Sequence, residues 1–293
     1  YFLLGGATDG CSVIFKKLHK KPCSVFFSGV ACFYIFILYL ILNPILTGNL
    51  FVYNSAIWPY AVIYGLVYAL SAYASTVAFK CGPVGITSLL VTLGGLIPVL
   101  YNVIFLGEAV DLMFFLGIIF FVICLVLLNV DFSKKDKAKT KKKINVKWII
   151  FAILATLSYG MSMVMQGIYK NDFTIATGLC LYENEFMMLG ALVATVFLVG
   201  MSLIVERKNI LDGIGQTIGC AGGVGVLSGF YTIAYLLLLG SSTVVHATIA
   251  PILLTISLLT CVVIGVVLFK EKYKLLQFIG MACGIAAVVF LSL

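Results

Sequence analysis

Apolar residues run along this chain in long blocks, and the polar residues gather in short stretches between them. Bounding the blocks by charge and by proline and glycine clusters gives spans near residues 1–15, 24–43, 55–79, 84–106 and 110–130. A second set lies near 147–169, 175–204, 214–239, 243–268 and 273–293. A bilayer core of about 30 Å takes about 20 helical residues to cross, so the pattern predicts an all-α integral membrane protein of ten transmembrane helices. One interruption differs in kind. Residues 131–147 carry Lys134, Lys135, Lys137, Lys139, Lys141, Lys142, Lys143 and Lys147, too much charge to enter a bilayer. They divide the chain into 1–130, a linker at 131–147, and 148–293, with five spans on either side.

Composition sharpens this picture by exclusion. The chain has 293 residues, 62% of them hydrophobic and 10% charged, with a mean hydropathy of +1.17. A soluble domain is roughly half apolar and a quarter charged, and ten spans leave no room for one. The first block, Tyr1 to Phe15, runs into lysines and not into a small-residue cleavage site, so it reads as a membrane helix and not a signal peptide. It starts without Met, and the helix is expected to lack its native beginning. The nine cysteines are scattered with no CxxC pair, which fits small buried hydrophobes better than a metal or redox site; no cofactor is predicted.

The charge pattern adds orientation. Of the 19 Lys and Arg residues, 18 fall in the connections after the first, third, fifth, seventh and ninth spans, and Lys170 alone is on the other side. The positive-inside rule then puts those connections and the linker in the cytoplasm and both termini outside. The net charge of +8 lies at helix ends, not on a folded basic face with aromatic stackers, so nucleic acid is not an expected partner. The linker serves as a topology anchor or as a site for acidic membrane lipids.

The two halves resemble each other. Leu106-Gly107-Glu108 and Phe269-Lys270-Glu271 each close a long apolar block, and a glycine follows each Glu after nine residues, Gly117 and Gly280. Phe115 and Phe278 match in the same register. Thr8-Asp9-Gly10-Cys11-Ser12 parallels Ser158-Tyr159-Gly160-Met161-Ser162, and Tyr73 and Tyr231 each precede a glycine, Gly82 and Gly240, by nine. Several matches in one order point to duplication. Five spans is an odd number, so the copies insert in opposite directions, giving a 5+5 inverted-topology repeat. Such halves can expose one central site alternately to either side.

These residues resemble the drug/metabolite transporter superfamily in its EamA-like, ten-helix branch. The likeness is carried by Ala78-Phe79-Lys80-Cys81-Gly82-Pro83, Pro98, Leu106-Gly107-Glu108 with Gly117, the Lys-rich run into Lys147-Trp148, and Phe269-Lys270-Glu271 with Gly280. The resemblance covers nearly the whole chain. It implies a basket-like bundle whose cavity is lined by spans one, three, four, six, eight and nine, moving metabolites or drugs. It also implies both termini in the cytoplasm, where the lysine distribution argues for the outside.

Asp9 stands out among the candidate site residues, because a carboxylate about 10 Å into the membrane from Lys16, at 1.5 Å per residue, is costly and by default marks an ion or substrate pathway. With Thr8 and Ser12 beside it, it is read either as a proton- or cation-coupling acid or as a cavity carboxylate of no special role. Glu185 is the second coupling candidate; Glu183 and Glu185 both fall near the outer interface, where solvation alone also accounts for them, and two residues apart they face nearly opposite ways. Tyr64, Tyr68, Ser71 and Ser75 form one helical stripe, and Ser228, Tyr231, Thr232 and Tyr235 another. The paired stripes read as opposing walls of a substrate cavity, with interhelical hydrogen bonding as the other use of such hydroxyls. Ser158, Ser162 and His246 complete the candidate binding set.

No Walker loop, HExxH or GxSxG pattern is present, so neither ATP use nor an enzyme is expected. The expectation is a secondary transporter in the plasma membrane, exporting a small molecule by alternating access, proton-coupled or facilitative. A flippase for lipids or lipid-linked sugars is the alternative left open.

Overall fold

The computed structural model of the chain describes residues 1–19, 21–47, 54–81, 84–107, 111–129, 146–174, 180–207, 210, 213–240, 245–269 and 275–292. Most of the Lys-rich linker, together with Gly82, Pro83, Glu108, Lys270 and Glu271, lies outside them. The described residues form eleven helices: α1 Phe2–Leu18, α2 Ser24–Thr47, α3 Ile57–Cys81, α4 Val84–Leu93, α5 Leu96–Phe105, α6 Leu112–Asn129, α7 Val146–Phe173, α8 Glu183–Val205, α9 Ile214–Leu239, α10 His246–Phe269 and α11 Leu275–Ser292.

Among the described residues, five stretches are long and apolar enough to cross a bilayer: Ser24–Ile45, Ile57–Ala78, Val146–Phe173, Glu183–Val205 and Ile214–Leu239. Shorter apolar helical stretches accompany them at Leu90–Phe105, which spans the break between α4 and α5, and at Leu112–Cys124, His246–Thr260 and Phe278–Leu291. Helices are what such sequences must form in lipid, because each backbone N–H and C=O finds its partner within the same segment. Large apolar side chains such as Leu3, Ile104, Phe105, Ile204, Val267 and Leu275 stand exposed on the outside of the bundle. That is the surface of a chain whose surroundings are hydrocarbon. The protein is an integral membrane protein.

The fourth expected span is not one helix but two, α4 and α5, parted at Gly94-Gly95. There the backbone tightens, with the N–H of Gly94 donating to Val91 O at 3.0 Å and that of Gly95 to Thr92 O at 3.0 Å. Two glycines loosen the helix, and Pro98 a turn later has no N–H to give back to Gly94. The seventh span also begins later than the apolar pattern suggests, at Glu183, because α7 continues to Phe173. An isolated β-bridge between Thr174 and Cys180 then draws the two ends of the connection together.

The tightest packing is between helices far apart in sequence. α1 packs on α9 and α10, α2 on α8 and α9, α3 on α7 and α8, α4 and α5 on α7, and α6 on α11. Glycines permit the closest crossings. A Cβ on Gly65 of α3 would lie 2.5 Å from Gly190 O of α8; one on Gly160 of α7 would lie 2.5 Å from Gly94 O, at the break between α4 and α5; one on Gly10 of α1 would lie 2.6 Å from Ser257 O of α10. At one end of the bundle Glu206, just past α8, accepts the backbone N–H of Val25 at 3.0 Å and of Phe26 at 3.0 Å. It thus holds the positive N-terminus of α2 from 180 residues away.

Candidate functional site

A cavity of about 160 Å³ lies at the centre of the bundle, bordered by residues of α1, α2, α3, α4, α7, α9 and α10. It starts near Lys16, Ser28 and Thr76, at the end of the bundle where α1 and α3 finish and α2 begins. It reaches Tyr68 halfway along α3, Gln166 about three-quarters of the way along α7 and Tyr235 in the last turns of α9. Beyond that level the helices fill the space themselves. Tyr39, Tyr64, Tyr169, Phe186, Leu239 and Ile249 belong to one buried cluster. Tyr169 stacks on Phe186 with ring centres 4.0 Å apart, Phe173 stacks on Tyr169, and Tyr60 meets both edge-on.

Each wall is set by helix spacing. On α3, Tyr68, Ser71, Ala72, Ser75 and Thr76 recur at three- and four-residue steps and share one face; on α9, Val224, Ser228, Tyr231, Thr232 and Tyr235 do the same. Tyr231 and Tyr235 stack at 6.4 Å, and Tyr64 and Tyr68 at 5.7 Å. From α1 come Asp9 and Lys16, seven residues apart and so on the same side of the helix. Ser257 of α10 donates to Asp9 Oδ2 at 2.8 Å. Tyr159 of α7 and Tyr231 share a hydroxyl hydrogen bond of 3.1 Å, and Tyr68, Tyr159 and Tyr231 all lie within electrostatic reach of the Asp9 carboxylate.

Of the twelve candidate binding and coupling residues, six line this cavity, Asp9, Tyr68, Ser71, Ser162, Tyr231 and Tyr235, and so do Ser75, Ser228 and Thr232 of the two stripes. The other six are elsewhere. Thr8 and Ser158 turn their hydroxyls back onto their own helices, to Gly5 O at 2.9 Å and Leu154 O at 2.6 Å, as hydroxyl side chains in helices often do. Ser12 is fully buried between helices, with no hydrogen-bond partner for its hydroxyl. Tyr64 sits one turn past Tyr68 and is buried, accepting a hydrogen bond from Gln166 Nε2 at 3.0 Å. His246 opens α10 at the filled end. Glu185 is not solvated at an interface, as its position in the apolar pattern suggests, but buried, and it accepts from Asn43 Nδ2 at 3.1 Å.

The sequence reading passes over Gln166, Ser257, Thr92 and the Ser28–Thr76 pair, whose hydroxyls are 3.1 Å apart. Tyr159 had a signal: it is the residue aligned with Asp9 in the internal repeat, and both face the cavity. Gln166 had a weaker one, four residues after Ser162 on the same face of α7. A further group at the filled end was also missed. Lys170 is buried, with Nζ 2.6 Å from Glu183 Oε2 and 2.9 Å from Leu236 O, while Tyr169 donates to Leu181 O and Tyr182 O at the turn into α8.

A membrane bundle around a central, tyrosine-lined cavity with one carboxylate is the form of a small-molecule carrier. The comparisons agree: the EamA-like transporter family matches over residues 146–293, half of the chain, and the chain belongs to that family. It is a membrane transporter of the drug/metabolite transporter type. One crystal structure, described only as that of a protein, shares the fold with a TM-score of 0.70 over 99% of this chain and 94% of its own, at 11% identity. No curated protein sequence matches the chain.

Proposed function

We propose that the central cavity is the substrate site of a secondary transporter working by alternating access, that Asp9 couples the cycle to protons, and that transport runs outward across the plasma membrane. The observation that carries this reading is the cavity itself, which borders on Asp9 and Lys16 toward one end and is filled by side chains toward the other. With the Lys-rich connections taken as cytoplasmic, the protein is in its inward-facing state.

The 5+5 inverted repeat, with halves 1–130 and 148–293 around the 131–147 linker, belongs to the same proposal. Exchanging α1 with α7, α2 with α8, α3 with α9, the α4–α5 pair with α10, and α6 with α11 turns the α3–α7 contact into α9–α1 and α3–α8 into α9–α2. It leaves α2–α8 and α6–α11 unchanged. Gly10 and Gly160, equivalent in the repeat, each bring a helix onto a neighbour's backbone carbonyl, which leaves Asp9 and Tyr159 as counterparts in the cavity. Two halves with interchangeable contacts are what a rocking exchange between inward and outward states requires.

Purified protein in liposomes loaded with a pH dye tests the coupling. Addition of one class among amines, amino acids, nucleobases and sugars should move protons, and Asp9→Asn should abolish that movement. An Asp9→Asn variant that transports normally with unchanged pH dependence removes Asp9 from the coupling role. Activity on lipid-linked sugars alone would replace the carrier with a flippase.

A further inference from the structure

The glycine crossings match the two proposed halves residue by residue. A Cβ on Gly65 of α3 would meet Gly190 O and Val193 Cβ of α8, and one on Gly225 of α9 would meet Ala31 O and Tyr34 Cβ of α2. The same crossing thus recurs with its partners exchanged, which sets Gly65 on Gly225 and Ala31 on Gly190. Gly10 and Gly160 do the same for α1 and α7: one meets Ser257 O and Thr260 Cβ, the other Gly94 O and Ile97 Cβ. In that alignment His19 corresponds to Tyr169, Phe27 to Phe186, Ser28 to Met187 and Thr76 to Leu236.

One arrangement is then found at both ends of the bundle. His19, just past α1, stacks on Phe27 in the first turn of α2 with ring centres 4.2 Å apart, and its Nε2 is 3.2 Å from Thr217 Oγ1 in the first turn of α9. Tyr169, near the end of α7, stacks on Phe186 in the first turn of α8 at 4.0 Å and meets Tyr60 in the first turn of α3 edge-on at 5.9 Å. Both His19 and Tyr169 are buried, although the cavity borders Lys16, Ser28 and Thr76 at the first end and side chains fill the other. The difference between the ends lies in α3 and α9. Thr76 of α3 shares a hydrogen bond of 3.1 Å with Ser28 of α2, and Ser28 also bonds Ala72 O at 3.2 Å. Leu236 of α9, the counterpart of Thr76, instead accepts from Lys170 of α7 at 2.9 Å. Accordingly α2 packs on α3, whereas α8 and α9 make at most marginal contact among the described residues.

We infer that the two ring joints, His19 with Phe27 and Thr217, and Tyr169 with Phe186 and Tyr60, are the fixed pivots of the transport cycle, and that the gates are made and broken by the ends of α3 and α9; the inference rests on the alternating-access reading. Switching state exchanges the roles of the two ends. A contact made alike at an open and a filled end is therefore present in both states and does not bias the equilibrium between them, while a contact made at one end alone does. The end of α3 rests on α2 while its side of the cavity is open, held by Ser28, and moves toward α1 to close it. The far end of α9 rests on α7 while its side is shut, held by Lys170, and passes to α8 to open it. Each joint ties the start of one of these two helices to the neighbouring hairpin, so each helix turns about its own packed end.

Disulfide locks in liposomes test this, in a chain otherwise free of cysteine, with Met187→Cys as the reporter. Met187 is 1% exposed at the filled end and its counterpart Ser28 borders the cavity, so a membrane-impermeant maleimide at the face opposite the basic connections reaches it in the outward state. Native Cys23 with Thr217→Cys links the His19 joint, where Sγ and Oγ1 are 3.5 Å apart. Ser28→Cys with Thr76→Cys links α2 to α3, where the hydroxyls are 3.1 Å apart. Oxidising the second pair should slow labelling of Met187→Cys by about tenfold or more, with recovery on reduction, and oxidising the first should leave the rate within about twofold. The reduced form of each variant controls for folding, and dibromobimane replaces oxidation where the thiols do not close. Labelling lost on linking Cys23 to Thr217→Cys, or unchanged by the link between Ser28→Cys and Thr76→Cys, overturns the assignment of pivots and gates. Reduced proteins in which Met187→Cys is never labelled from that face remove alternating access itself, and the pivots with it.

Discussion

The Lys170–Glu183 pair should hold the filled end of the bundle shut. Nζ of Lys170 is 2.6 Å from the carboxylate and 2.9 Å from Leu236 O, which ties α7 to both α8 and α9, and the two side chains are 8% and 20% exposed. Removing one member of a buried pair typically costs about 3–5 kcal/mol, because the other is left charged and unpaired. Glu183 keeps some exposure, so the low edge, about 3 kcal/mol, applies to Lys170→Met and to Glu183→Gln. The double variant leaves no stranded charge and should lose only about 1 kcal/mol, a coupling of several kcal/mol by double-mutant cycle. In a chain of this size each kcal/mol lowers the melting temperature by about 2 °C. Scans at one heating rate, which irreversible unfolding requires, should therefore show drops of about 6 °C for either single variant and about 2 °C for the double. Single variants melting within 1 °C of the parent, or a double variant losing the sum of the singles, would refute the reasoning.

Other expectations follow from particular contacts. Gly65→Ala puts a methyl 2.5 Å from Gly190 O and 2.8 Å from Val193 Cβ, and overpacking of this kind should cost about 1–3 kcal/mol in thermal scans; Gly167→Ala, with nothing within 4 Å, should be neutral or slightly stabilising. Glu206→Gln removes the charge that accepts Val25 and Phe26 N–H and should cost about 1 kcal/mol, read as faster amide hydrogen exchange at those two residues. The Cys180 thiol, in the connection before α8, is pushed up to about 11, first by burial and then by the nearby Glu183 carboxylate. In a variant keeping only that cysteine, alkylation should be slow at pH 8, where about 0.1% is thiolate, and rise about tenfold per pH unit toward pH 11. Glu183→Gln should move that curve to lower pH, and a rate already flat at pH 8 would contradict the assignment.

Much of the helix pattern was legible because hydrophobic length and bounding charge decide where a chain can cross a bilayer. The divided fourth span was not, since Gly94, Gly95 and Pro98 sit in a run as apolar as its neighbours and break the helix through backbone geometry. Helical spacing correctly grouped Tyr64, Tyr68, Ser71 and Ser75 on one face of α3. It carries no information on depth, and one turn separates Tyr68 at the cavity from Tyr64 in the packed core. Asp9 could be found from sequence because a carboxylate inside an apolar block needs a reason. Its partner Ser257 could not, because serine is unremarkable in a membrane helix and the two are 248 residues apart. Glu185 shows the converse error: a charge near a predicted membrane surface is expected to be solvated, yet tertiary packing buries it against Asn43, as it buries Lys170 against Glu183.

Single-cysteine accessibility in liposomes tests alternating access through this cavity most directly. Ser228→Cys, in the cavity, and Tyr39→Cys, in the packed cluster beyond it, would each be exposed to a membrane-impermeant maleimide from either face. The account predicts that Ser228→Cys reacts readily from the face bearing the basic connections. Tyr39→Cys should react from the opposite face, slowly, as the minor outward state is visited. Reaction of both cysteines from the same face only, or no reaction of Tyr39→Cys from the opposite face while the protein is transporting, would contradict it.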